Sequence, residues 1–132
     1  MSQENVDKTL DYIDAYNRRD FDAAVRHFHP DVDWVLPELQ AADSAKGPAA
    51  IIRFWDGLDD TFDELQLKPQ EVIDAGDRVA VRLRHYARGK ESGLAIEDEL
   101  YHQVTTFRDG VMVRIEYVES WPEALAAARV EG

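Results

Sequence analysis

The hydrophobic period of this chain changes once, near Phe62, and that change constrains the fold more than any other feature. Before it, apolar residues recur every three or four positions; after it, they alternate. Helical spacing lines side chains along one stripe and alternation lines them on one face of a strand, so helices come first and a sheet follows. In the first part Val6, Leu10, Ile13 and Tyr16 place a helix over Glu4 to Arg18. Asp20 suits the N-cap of a second helix carrying Phe21, Ala24, Val25 and Phe28, ending near Pro30, because proline disfavours helix in the residue before it. Val32, Trp34 and Leu36 then alternate as a short strand, and Glu38 to Lys46 reads as loop. Gly47-Pro48 opens a third helix, on which Ile51, Ile52, Phe54, Trp55 and Leu58 cover so much of the circumference that it must be largely buried.

Four strands are expected after the change, over Glu64–Ala75, Arg78–Arg88, Leu94–Arg108 and Val111–Glu119. Their connections are short and rich in Gly and Asp, which implies an antiparallel meander. Ser120-Trp121-Pro122-Glu123 has the capping-box form, so a last helix should run through Arg129. A chain of 132 residues suits a single domain over residues 1–132. The net charge of −12 repels phosphate backbones and anionic lipid, which argues against nucleic-acid and membrane partners. With no cysteine, disulfides and thiolate metal sites are excluded, and a cytoplasmic location is expected. His27-x-His29 and Asp31-x-Asp33 have metal-like spacing, but His27 and His29 sit at a predicted helix end, where two-residue spacing points them apart, so no metal site is assigned. No phosphate loop, dinucleotide fingerprint or hydrolase elbow occurs, and no cofactor is expected.

The order helix, helix, strand, helix, meander, with YNRRDFDAAVRHFHPDVDW from Tyr16 and TFRDGVMVRIEYVES from Thr106, resembles the SnoaL-like and ketosteroid-isomerase-like branch of the nuclear transport factor 2-like superfamily. That resemblance implies an α+β fold in which three helices cover the concave face of a cone-shaped, curved antiparallel or mixed sheet, leaving an apolar pocket, plus a short C-terminal helix. It implies a homodimer through the outer sheet face. Tyr12 matches the tyrosine that hydrogen-bonds substrate oxygen in ketosteroid isomerases, and Gln103 stands where a protonated aspartate donates to the oxyanion. Leu36 stands where their proton-moving aspartate lies, and leucine accepts no proton, so steroid isomerisation by that route is disfavoured.

If Gln103 faces inward, alternation puts Glu99, Tyr101, Thr105 and Phe107 on its face, and Leu100, His102, Val104 and Thr106 outward. A one-residue bulge would invert this. On the neighbouring strand Val79, Val81, Leu83 and His85 share the more apolar face, which makes His85 the histidine to carry a proton. Tyr16 lies one turn from Tyr12, and both phenols can enter the space beneath the first helix. Trp34, Trp55, Phe54 and Phe62 suit the pocket wall or ordinary core, and Tyr117 shares a face with Glu119, a second candidate base at the pocket mouth.

The expected function is a small hydrophobic-ligand pocket acting by cofactor-free acid/base chemistry of isomerase, cyclase or dehydratase type on a carbonyl, enol or polyketide-like compound. His85, Tyr12 and Gln103 are the catalytic candidates, and Tyr16, Trp34, Trp55, Tyr101, Tyr117 and Glu119 the ligand contacts. The alternative is a non-catalytic ligand-binding or dimerisation module of the same fold. A partner surface would appear as an outer patch of Leu100, Val104, Met112 and Val118, expected to be covered by a second copy of the chain.

Overall fold

The computed structural model describes residues 2–35, 45–89 and 95–128. Helix α1 (Ser2–Asn17) carries an i,i+4 pair at each end, Glu4–Lys8 at 3.2 Å and Asp14–Arg18 at 2.9 Å. Its last residue ties it to the sheet: the Asn17 side chain donates to the Leu67 carbonyl at 2.7 Å and accepts from the Leu67 amide at 2.8 Å.

Asp20 caps the next helix, accepting from the Ala23 amide at 3.2 Å. That helix is shorter than expected. Helix α2 (Phe21–Ala24) passes through a 3-10 turn (Val25–His27), and strand β1 (Phe28–Val35) already begins at Phe28. Tertiary pairing overrides local propensity here, because Phe28 lies beside Met112 of the last strand. Part of the expected loop is also strand: β2 (Ala45–Lys46) pairs antiparallel with Asp33 and Trp34. Leu36 lies outside the described residues. Gly47 turns the chain into helix α3 (Pro48–Thr61) with φ of 85°, and a Cβ there would meet the Pro30 carbonyl at 3.1 Å.

Strands β3 (Phe62–Asp74), β4 (Arg78–Gly89), β5 (Ala95–Arg108) and β6 (Val111–Val118) form the expected antiparallel meander. Pro69 is tolerated in β3 because that strand is the sheet edge, and the register shifts beside it. The sheet order is β2-β1-β6-β5-β4-β3, with β1 parallel to β6. The curled sheet is therefore mixed, with helices α1 to α3 against one face. Helix α4 (Trp121–Ala127) begins at Ser120, whose hydroxyl accepts from the Glu123 amide at 3.2 Å; Arg129 lies outside the described residues. Among the described residues no helix is long and apolar enough to cross a membrane.

Two cores use the two sheet faces. The larger joins Tyr12, Ile13, Tyr16, Ile51 and Trp55 of the helices to Val79, Val81, Leu83, Phe107, Ile115 and Tyr117 of the sheet. The smaller packs Ala80 and Val104 against Ala124 and Ala128. This corrects the expected outer patch. Val104 is fully buried in that second core, and Met112 is fully buried in the first, because a register shift between Thr106 and Phe107 turns Met112 inward. Of the four residues, Leu100 is exposed, at 38%.

Candidate functional site

Beneath the helices the described residues line a partly open cavity of about 190 Å³. Helix α1 lowers Tyr12 and Tyr16 into it from one face, and α3 contributes Phe54, Trp55 and Leu58. The sheet supplies Trp34 from β1, Phe62, Leu65 and Leu67 from β3, His85 from β4, Tyr101 from β5 and Tyr117 from β6. These rings form a continuous wall. His85 stacks on Tyr101 at 4.7 Å, Tyr101 meets Tyr117 at 6.0 Å, Tyr117 meets Trp34 at 5.9 Å, and Trp55 packs edge-on against Tyr16 at 5.1 Å. Such a wall excludes water and favours a flat or alicyclic guest.

The polar feature of this apolar space is a network closed from three elements. Gln103 is fully buried, and its amide donates to the Tyr117 hydroxyl at 2.8 Å and toward the Tyr12 hydroxyl at 3.5 Å. Its carbonyl accepts from Thr105 at 3.4 Å. Counting hydrogens is decisive here. Both amide hydrogens are engaged, and each phenol oxygen accepts one of them, so the phenols keep their own hydrogens to donate.

Burial, reinforced by the neighbouring Tyr117, holds the Tyr12 hydroxyl well above its usual range. Burial likewise pushes Tyr117 up to about 12. Both are neutral donors at ordinary pH. Tyr16 is also raised by burial, while Arg19, whose guanidinium lies 4.8 Å from the ring centroid, pulls the other way.

The structure brings together Tyr12, Tyr16, Trp34, Trp55, His85, Tyr101 and Tyr117, all candidates from sequence. Two candidates stand elsewhere. Gln103 lies behind the phenols rather than on the cavity lining, because both phenols take its donors. Glu119 is exposed and off the lining, because β6 ends at Val118 and the chain leaves the sheet to enter α4. Leu58, Leu65 and Leu67 were missed, although the alternation of Leu65 and Leu67 was a readable signal. His27 pairs with Asp11 at 3.0 Å, and His29 accepts from the Asp31 amide at 2.9 Å.

A second hollow, of about 450 Å³, opens on the outer face of the sheet between Asp33, Arg78, Thr106, Arg108, Arg114, Glu116 and Ala127. Several of its charges are paired, with Arg114 on Glu116 at 3.4 Å and Lys46 on Asp33 at 3.5 Å. The aromatic cavity, with its buried donor network, is the candidate site.

The family model for the SnoaL-like domain matches residues 9–115. Among solved structures, an NTF2-like protein of unknown function from Burkholderia pseudomallei is 22% identical, with a TM-score of 0.79 over 93% of this chain and 95% of that one. TerC, crystallised with polyporic acid, is 25% identical, with a TM-score of 0.77 over 96% and 98% of the two chains. A provisionally assigned polyketide cyclase from Sinorhizobium meliloti is 25% identical, with a TM-score of 0.65 over 85% and 94%. No curated protein matches the sequence.

Proposed function

The chain belongs to the SnoaL-like domain family, and from that premise we propose that its cavity binds a compact hydrophobic carbonyl or enol compound and moves a proton on it without a cofactor. The observation that carries this reading is the buried Gln103–Tyr12–Tyr117 network, in which both phenols accept from the amide and keep their hydrogens to donate in the aromatic cavity they line. A carbonyl oxygen taking such a hydrogen bond would gain negative charge as an enolate forms, and a preformed donor in a water-excluding site stabilises such charge. Tyr12 and Tyr117 are the oxygen-binding groups, and Gln103 holds both in place. His85, on the same lining, is the proton carrier: neutral imidazole takes the proton beside the carbonyl and returns it at a second carbon or oxygen. The likeness to TerC and to a polyketide cyclase supports an oxygenated ring as the ligand.

The second reading is binding without turnover. It is favoured by the lining, which among the described residues contains no carboxylate, and by Leu36 at the position of the ketosteroid-isomerase base. A thermal-shift screen with small enones, aromatic polyketides, terpenoid epoxides and steroids tests both. Ligand at a hundred times its dissociation constant adds about 2.7 kcal/mol and raises the midpoint by several degrees. Tyr117→Phe and Gln103→Leu should remove the shift. His85→Gln should keep binding and abolish turnover, and a wild-type protein that binds without converting any ligand leaves the binding module. No stabilisation by any class sinks both. The homodimer belongs to the same proposal, seated on the outer face around Leu100; sedimentation should show a dimer that Leu100→Glu splits.

A further inference from the structure

The hollow on the outer face of the sheet has the opposite charge to the chain that carries it. Arg78, Arg108 and Arg114 line it with Asp33 and Glu116, three guanidiniums against two carboxylates, in a chain of net charge −12. Both carboxylates are already engaged, Glu116 by Arg114 at 3.4 Å and Asp33 by Lys46 at 3.5 Å. Arg78 and Arg108 have no carboxylate partner among the described residues. Arg78 makes one hydrogen bond, to the Ala127 carbonyl at 3.4 Å, and keeps its other donors, while Arg108 is exposed. Strand register explains why they meet. Arg78 of β4 stands opposite Thr106 of β5, and Arg108 lies two positions farther along β5. Diagonal neighbours of this kind are about 7–8 Å apart, close enough for two long side chains to share one guest. From the other side β6 brings Arg114 opposite Thr106.

We propose that this hollow is an anion site, which takes the phosphate or carboxylate group of a small molecule between Arg78 and Arg108, with Thr106 as a hydroxyl donor beneath it. Guanidinium forks match the paired oxygens of both groups. The charge balance favours a compact anion over an extended one. Charges farther than about 8 Å are largely screened at physiological salt, so a small guest meets the nearby guanidiniums, whereas a nucleic acid would run on over acidic surface. The site lies on the opposite sheet face from the aromatic cavity, and it stands or falls separately from the ligand read for that cavity.

The test follows backbone amide shifts of the whole chain while inorganic phosphate or malonate replaces chloride at constant ionic strength. At least one of the two should saturate a single site and move Arg78, Thr106 and Arg108; tighter phosphate marks a phosphate ester as the guest, and tighter malonate a carboxylic acid. Arg108→Gln, at an exposed position that leaves the core untouched, should weaken the better probe about tenfold, the low end for a hydrogen bond to a charged group. Glu116→Gln frees Arg114 and should tighten it about two- to fivefold. Arg18→Gln makes the same change of charge at the end of α1 and should stay within about twofold of the wild-type affinity. No saturable shift, shifts that chloride reproduces, or a loss in Arg18→Gln equal to that in Arg108→Gln overturns the site. A dimer that Arg108→Gln splits, with neither anion binding, assigns these charges to a second copy of the chain and overturns it as well.

Discussion

The two faces of one sheet are packed by opposite means. On the concave face, Tyr12, Tyr16, Trp55, Trp34 and Tyr117 fill the space between helices and strands. On the outer face, Ala80 and Val104 meet Ala124 and Ala128 of the helix end. Large rings hold helices away from a sheet and cannot tile the gap completely, whereas small side chains let a helix settle close. A cavity therefore forms on one side. The polar groups differ too: inside, Gln103 and the phenols satisfy one another, while outside, Arg82 lies 6.0 Å from the Trp121 ring centroid and the His102 ring 6.2 Å from it.

The contrast breaks most severely if the concave side loses its central ring. Trp55 is 2% exposed and meets Tyr12, Tyr16, Phe21, Phe28 and Trp34. Trp55→Ala should cost about 3–5 kcal/mol in urea unfolding and abolish ligand protection. On the outer face the danger is the reverse, overfilling. Ala124→Leu should cost about 1–3 kcal/mol while leaving ligand binding intact.

The faces should also fail at opposite ends of the pH scale. Both buried phenols hold their protons more tightly folded than unfolded, so the unfolded chain loses protons first as pH rises. This contribution is complete below about pH 10 and is lost upward, until native Tyr117 titrates near 12. Tyr117→Phe should make the alkaline decline of unfolding free energy shallower. His102 behaves inversely: burial, then the Arg82 charge, holds its pKa below 6.5 in the folded state. Its contribution is present above that value and lost as pH falls through and below it, because the unfolded chain takes up the proton first. His102→Gln should flatten this acid limb, the smallest of the four effects, and should leave the alkaline limb unchanged.

Much of the concave face was legible because local periods report it. Helical spacing alone sets Tyr12 and Tyr16 on one stripe, and alternation outward from Gln103 sets Tyr101 on the cavity face. Alternation failed where the sheet departs from regularity. Met112 was placed outward by counting, but a bulge turns it inward against Phe28. Glu119 was placed inward by continuing a strand that stops one residue earlier. Val104 was read correctly as outward, yet it is buried, because sequence shows a face without showing that α4 will cover it.

The sequence by itself determined the helical first part, the meander and the residue types that could meet in a pocket, since each depends on neighbours a few positions away. Only tertiary structure decided that β1 runs parallel to β6, that Gln103 donates to two phenols, and that Trp34 stands beside Tyr117. Tyr12 and Gln103 are 91 positions apart. No local period carries information across that distance; the curl of the sheet and the bulge in its register bring them together.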